Sequence, residues 1–300
     1  MAAAPAPLLA AALKDIQAAI DGQFDHILAI PADARARLYE AMRYSAIGGG
    51  KRLRPLLVRA SADLFAIAEQ PALRAGLAVE CIHVYSLVHD DLPAMDDDDM
   101  RRGKPSAHVA YGEATAILSG DCLHDVAFSI LADEATHPDP FVRCELVAAL
   151  AQASGPGGMA GGQMMDLAAE TEPFDLPAIT RMQQLKTGAL IGFCVEAGAI
   201  MARIPPEGRV HLHGYARDLG LAFQIADDLM DVEGDPEKAG KTLGKDVAAG
   251  KATFVSLLGI ERAREQAHML VEQAIDHLRS YGPEADLLRQ IAEYTIARDS

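Results

Sequence analysis

The 300-residue chain has no tryptophan and few other aromatics, with 7 Tyr and 8 Phe. Strand-like alternation of β-branched and aromatic residues is also hard to find, which argues against a core built on sheets. Four cysteines, Cys81, Cys122, Cys144 and Cys194, are widely spaced and form no CxxC pair. That spacing gives neither a zinc framework nor a disulfide scaffold and suits reduced thiols in a cytoplasm. Basic charge is short as well: 27 Lys and Arg stand against 43 Asp and Glu, a net charge of −16. Such a chain is a poor partner for nucleic acid, whose binding needs clustered cations. The start, MAAAPAPLLAAALKD, lacks the basic region of a secretion signal, and no uncharged stretch approaches the length of a membrane span.

What is present is apolar residue at helical spacing. Half of the chain is hydrophobic, mostly Ala, Leu, Ile, Val and Met, and Ala and Leu favour helix. The periodicity predicts helices over Leu8–Leu28, Ala32–Ile47, a segment with Pro55 in its first turn running to Ala68, and Pro71–Asp91. Further helices are expected over 112–135, 139–170, 177–203, 207–233, 251–281 and 284–298. No composition shift divides the chain, so one all-α domain over 1–300 is expected. The one long glycine-containing stretch without helical pattern, EGDPEKAGKTLGKDVAAG (233–250), has the length of an active-site lid.

Two aspartate clusters carry the chemistry. Asp90 to Asp99 holds six aspartates in ten residues, a costly crowding because like charges raise one another's pKa. The run follows the apolar positions Val79, Ile82, Leu87 and Val88 and is followed at once by Arg101-Arg102. A solvated acidic loop has neither neighbour. In the second cluster, Asp227, Asp228 and Asp231 fall along one helical face inside the apolar LAFQIADDLMD, where acids need partners or metals. Oxygen donors without His or Cys indicate a hard cation, and positions completed by phosphate oxygens are typical of Mg2+. An anionic ligand on so acidic a chain also needs a few placed cations. Lys51 and Arg54, in GGGKRLRP, sit at a helix entrance, a natural anion site. Lys186-Thr187 puts a cation inside a mainly apolar helix, and Lys241, Lys245 and Lys251 lie in or beside the glycine-containing stretch.

The segments GGGKRLRP, HVYSLVHDDLPAMDDDDMRRGKPSAH, GGQMMDL, LKTGALI, FQIADDLMDVEGD and GKDVAAGKATF follow one another as in the trans-prenyl diphosphate synthases. The chain most resembles the bacterial-type farnesyl diphosphate synthases (geranyltranstransferases) of that family, from about residue 40 onward. The resemblance implies an isoprenoid synthase fold, a helical bundle around a deep cavity, usually as a homodimer. It implies three Mg2+ ions, with Mn2+ able to substitute, on Asp90, Asp96 and Asp227. Asp91, Asp228 and Asp231 would be further ligands or would hold metal-bound waters. Arg101, Lys186, Lys241 and Lys251 match positions gripping an allylic diphosphate; Lys51, Arg54, His83 and Arg102 match an isopentenyl diphosphate pocket. Thr187, Gln224 and the Lys186 carbonyl match groups whose dipoles face the reacting cation, and Gln163 and Asp166 match the GQxxD helix. Ala226 departs from relatives that carry a second glutamine there.

Product length depends on what blocks the cavity below the first cluster. Tyr85 and Ser86 lie five and four residues before Asp90, with Tyr85 roughly 7.5 Å back along the helix axis. Bacterial farnesyl synthases carry an aromatic at that place and a two-residue insertion in the first motif, here Pro93-Ala94. The alternatives are the same chemistry stopping at geranyl or geranylgeranyl diphosphate, a terpene cyclase, or a non-catalytic subunit. Retention of both clusters and of Lys51 and Arg54 disfavours the last two. His108, His124, His211 and His213 have no metal-ligand spacing and read as surface or capping residues. With the smaller Cys81 one turn deeper, Tyr85→Ala is expected to lengthen the product, and an unchanged fifteen-carbon product would defeat the floor assignment.

Overall fold

The computed structural model describes residues 5–233 and 252–297. Its helices are α1 (Pro7–Ile27), α2 (Ala36–Ala46), α3 (Leu53–Asp63), α4 (Glu69–Asp90), α5 (Ala107–Tyr111), α6 (Glu113–Ala132) and α7 (Pro140–Ser154). They continue with α8 (Met159–Ala168), α9 (Leu176–Gln183), α10 (Ala189–Met201), α11 (Val210–Glu233), α12 (Phe254–Leu258), α13 (Ile260–His277) and α14 (Asp286–Ala297). The helical class predicted from composition is the one observed. The one departure among the described residues is a pair of two-residue strands, β1 (Met100–Arg101) and β2 (Lys104–Pro105), forming an antiparallel hairpin.

Several boundaries follow from local chemistry. Asp139 caps α7 by accepting from Phe141 N at 2.9 Å, with Pro140 in the first turn. Asp175 does the same for α9 through Ala178 N at 2.9 Å. Two predicted helices are each broken in two. The 139–170 helix stops at Ser154 and restarts at Met159, because Gly155-Pro156-Gly157-Gly158 cannot carry the hydrogen-bond ladder through. The 251–281 helix breaks at Gly259, which has φ +80°, behind a capping box made by Thr253 and Ser256. The third helix ends at Asp63, short of Ala68, where Ala66 turns to φ +50°.

The core runs through α3, α4, α10 and α11. Its members Leu57, Val79, Ile82, Cys194, Ile200 and Ile225 are buried. Helix α10 lies directly on α3. A Cβ at Gly198 would overlap the Ser61 carbonyl and stand 2.6 Å from Ala62 N, and Ser61 Oγ donates to the Val195 carbonyl. Among the described residues, α6 alone is long and apolar enough to cross a membrane by length and composition. Asp121 and Asp125 interrupt it, and Ala116, Leu123, Ala127 and Leu131 bury one face in the bundle beside α4 and α7.

Candidate active site

Helix α4 ends at Asp90, and the chain turns sharply over Pro93-Ala94, both exposed, before Asp96 N donates to the Asp90 carbonyl at 2.8 Å. The turn brings Asp96 back beside Asp90. Burial pushes the Asp90 carboxyl up to about 6, with Lys186 opposing the shift and Asp96 adding to it. Asp91 faces the other way: it is buried and paired with Arg101, whose Nε stands 3.0 Å from its Oδ1. Arg101 also lies 3.6 Å from Asp98.

The second cluster sits on the last turns of α11, where Asp227 and Asp231 are half-buried and Asp228 is buried. Asp228 is built into the scaffold. Its Oδ1 accepts from Gln224 Nε2 at 3.0 Å and its Oδ2 from Phe254 N at 2.9 Å, so it fastens the start of α12. Thr187 Oγ1 donates to Gln224 Oε1 at 3.3 Å, linking α11 to the segment that carries Lys186.

That segment is a five-residue π-helical turn, Gln184–Gly188, between α9 and α10. Such turns interrupt the ladder and are frequent at functional sites. It turns Lys186 towards Asp166 on α8, 2.8 Å from Nζ to Oδ2. The approach needs Gly162, where a Cβ would lie 2.6 Å from Lys186 Cα, as expected for a glycine that permits close helix contact.

The cations of GGGKRLRP are organised by a residue that sequence reasoning passed over. Arg52, at φ 52° and 2 % exposed, donates from Nη1 to Glu80 at 2.7 Å and from Nη2 to Asp21 at 2.6 Å and to the Ala46 carbonyl. Its neighbours are thereby set outward. Lys51 is exposed, 5.8 Å over the Tyr294 ring of α14. Arg54 Nε is buried without a hydrogen-bond partner among the described residues. Arg102 lies against the glycines; a Cβ on Gly49 or Gly50 would stand 2.8 Å from its guanidinium. His83 is held well below the ordinary histidine range by burial and then by Arg54, Arg102, Arg52 and Arg101 around it. Of these cations Arg52 and Arg101 are paired with acids, and Arg54 and Arg102 make no ion pair with a carboxylate among the described residues. That arrangement is chemically suited to an anion.

A cavity of about 360 Å³ gathers part of this set; Lys51, Asp96, Gln224 and the second aspartate cluster are not among the residues that line it. Arg54 and His83 line one side, Asp90, Lys186 and Thr187 another, and Tyr85 and Ser86 lie on the α4 wall, with apolar Met159 and Leu167 opposite. Arg101, Arg102 and Asp91 instead line a smaller neighbouring recess with Gly48 and Gly49. Lys241, Lys245, Lys251 and Arg298 lie outside the described residues.

The Polyprenyl synthetase family matches residues 35–293. The chain belongs to that family. It is 46% identical over 270 residues to the farnesyl diphosphate synthase of Escherichia coli (strain K12), covering 87% of this chain and 89% of that one. It is 39% identical over 272 residues to the geranylgeranyl diphosphate synthase of Cyanophora paradoxa, covering 90% and 91%. Among solved structures, an apo FPP/GFPP synthase from Zymomonas mobilis is similar at 58% identity and a TM-score of 0.88, over 96% of this chain and 98% of that chain. The chain is therefore a prenyltransferase, and its chemistry is the condensation of isoprenoid diphosphates.

Membership implies a divalent-metal requirement, and the residues fit it. The Asp90 carboxylate has no hydrogen bond or ion pair among the described residues, although burial disfavours its charge; a hard cation would restore it. Among the described residues no three His, Cys, Asp or Glu side chains converge to hold a metal unaided. That suits ions held by one or two carboxylates and completed by water and phosphate oxygens.

Two histidines have positions that the sequence did not disclose. His108 is buried and bonded through Nδ1 to Ser106 Oγ at 3.1 Å, close to the hairpin that carries Arg101 and Arg102. His89 reaches from α4 to the Ile117 carbonyl of α6 at 3.0 Å, in a gap that a Cβ on Gly120 would fill. Spacing rules for metals and triads find neither residue, because one bonds a neighbouring hydroxyl and the other a backbone carbonyl.

Removing one partner of a buried ion pair costs about 3–5 kcal/mol. Arg52→Ala should lower unfolding free energy by that order in a denaturant titration; a midpoint equal to wild type would refute its place as the anchor.

Proposed function

We propose that the protein condenses isopentenyl diphosphate, head to tail (1'-4), first with dimethylallyl and then with geranyl diphosphate, giving (2E,6E)-farnesyl diphosphate. The observation carrying this reading is the single cavity with an arginine–histidine side, a carboxylate–lysine side and an aromatic on its wall. Two diphosphates can then meet with their hydrocarbon ends in one apolar space.

Lys51, Arg54, His83 and Arg102 would hold isopentenyl diphosphate as cations and donors. Lys186 and Arg101, with Lys241 and Lys251, would hold the allylic diphosphate. Asp90, Asp96 and Asp227 would ligate divalent ions, and Asp231 would add to them; when bound, such ions supply positive charge against a departing diphosphate. Asp91 and Asp228, already engaged by Arg101, Gln224 and Phe254, would fix the neighbouring ligands in position.

The allylic C–O bond breaks and its electron pair leaves with diphosphate. The terminal alkene attacks the resulting carbocation, a C–C bond forms, and the proton lost passes to the released diphosphate. Thr187 and Gln224, bonded to each other, orient oxygen dipoles near the cation. The apolar wall excludes the water that would quench it. Tyr85, with the Pro93-Ala94 insertion, supports stopping at fifteen carbons. The family resemblance implies a homodimer.

Incubation with dimethylallyl diphosphate, labelled isopentenyl diphosphate and Mg2+, followed by chromatography of the dephosphorylated products, tests the reading. Farnesol is expected as the main species. Geranylgeraniol or geraniol in its place would overturn the product, and no turnover at all would overturn the catalytic reading.

A further inference from the structure

Tyr85 does not stand alone at the wall of the cavity. Its ring meets His124 of α6 edge-on, with centroids 5.2 Å apart and planes at 86°. On its own helix it meets His89 at 5.7 Å and 76°. His124 leans in turn on Phe128, 4.9 Å away. Tyr85 and His89 are four residues apart on α4, as His124 and Phe128 are on α6, so two one-turn ladders face each other across the seam between the helices.

The two histidines are constrained differently. His89 is wedged over Gly120 and bonded to the α6 backbone, so its position is fixed by the fold. His124 is not core: its side chain is 42 % exposed, and its polar contact is the adjacent Asp125 carboxylate at 3.4 Å. Its ring contacts are with Tyr85 and Phe128. Cys81, one turn back from Tyr85, is buried and small, and gives the phenol ring no aromatic support.

Tyr85 can block a growing chain only while its ring stays across the cavity, and a ring free on one side has other rotamers to adopt. We propose that His124 is a positioning residue for product length, holding the Tyr85 ring in the blocking position from the opposite helix. This rests on the reading of Tyr85 as the floor. Product specificity then belongs to a column of rings across α4 and α6, with Phe128 behind His124 as the backstop.

The test compares His124→Ala, His124→Phe, Tyr85→Ala and the Tyr85→Ala/His124→Ala double variant in the full chain with Mg2+, dimethylallyl and isopentenyl diphosphates. His124→Ala should raise the ratio of twenty- to fifteen-carbon product roughly two- to tenfold, the span that an edge-to-face ring pair carries. His124→Phe keeps a ring there and should restore the wild-type ratio. The double variant should lengthen the product no more than Tyr85→Ala does, because both changes act through one ring. If Tyr85→Ala lengthens the product while His124→Ala leaves the ratio unchanged, the floor stands and the His124 role is overturned. A His124→Ala protein that loses thermal stability and turnover equally for both products overturns it in the same way. An unchanged product from Tyr85→Ala removes the floor itself.

Discussion

The buried ion pair between Arg52 and Glu80 is the interaction on which the site depends. Both side chains are shielded from water, at 0 % and 2 % exposure, so each is costly without the other. Arg52 stands in a left-handed conformation at the entrance to α3, and Glu80 lies in the apolar middle of α4. Pairing them, with Asp21 of α1 as a third member, fixes the glycine turn on the helix that also carries His83, Tyr85 and Asp90. The turn then has one orientation, in which Arg54 borders the cavity and Gly49 and Gly50 leave room for Arg102. An internal charge pair thus sets the positions of the cations that the proposed function assigns to an external anion.

On the opposite wall the constraint is repulsion. Asp90 and Asp96 are brought together by a backbone hydrogen bond, and burial raises the Asp90 carboxyl. The scaffold balances the remaining acids itself: Asp91 with Arg101, Asp166 with Lys186, Asp228 with Gln224 and Phe254 N. Asp90, by contrast, has its carboxyl raised by burial and no such partner among the described residues. The π-helical turn at Gln184–Gly188 and the small Gly162 bring Lys186 within reach of Asp166.

Much of this was legible in the sequence because the chemistry needs particular residue types at particular spacings. Asp90, Asp96 and Lys186 were marked by charge beside or within apolar segments and Arg54 by its place at a helix entrance, whereas His83 and the role of Tyr85 came from the family resemblance. Helix positions followed from periodicity. The breaks at Gly155–Gly158 and Gly259 were missed because apolar spacing persists on both sides while backbone conformation changes. Arg52 was overshadowed by Lys51 and Arg54, since nothing in the order of three cations says which one turns inward. The mid-helix Glu80 was the available sign of a buried partner. His108 and His124 were read as bland because they bond to a neighbouring hydroxyl or to other rings, and no spacing rule encodes such contacts.

The central claim is that one cavity has two unlike diphosphate sites, one made of protein cations and one made of carboxylates that need metal. Calorimetric titration with isopentenyl diphosphate and with a non-ionising allylic diphosphate analogue, each with Mg2+ and then with EDTA, tests this directly. Isopentenyl diphosphate should keep its affinity when metal is removed, and the allylic analogue should lose it. Equal loss of both, or an allylic analogue indifferent to metal, would contradict the account.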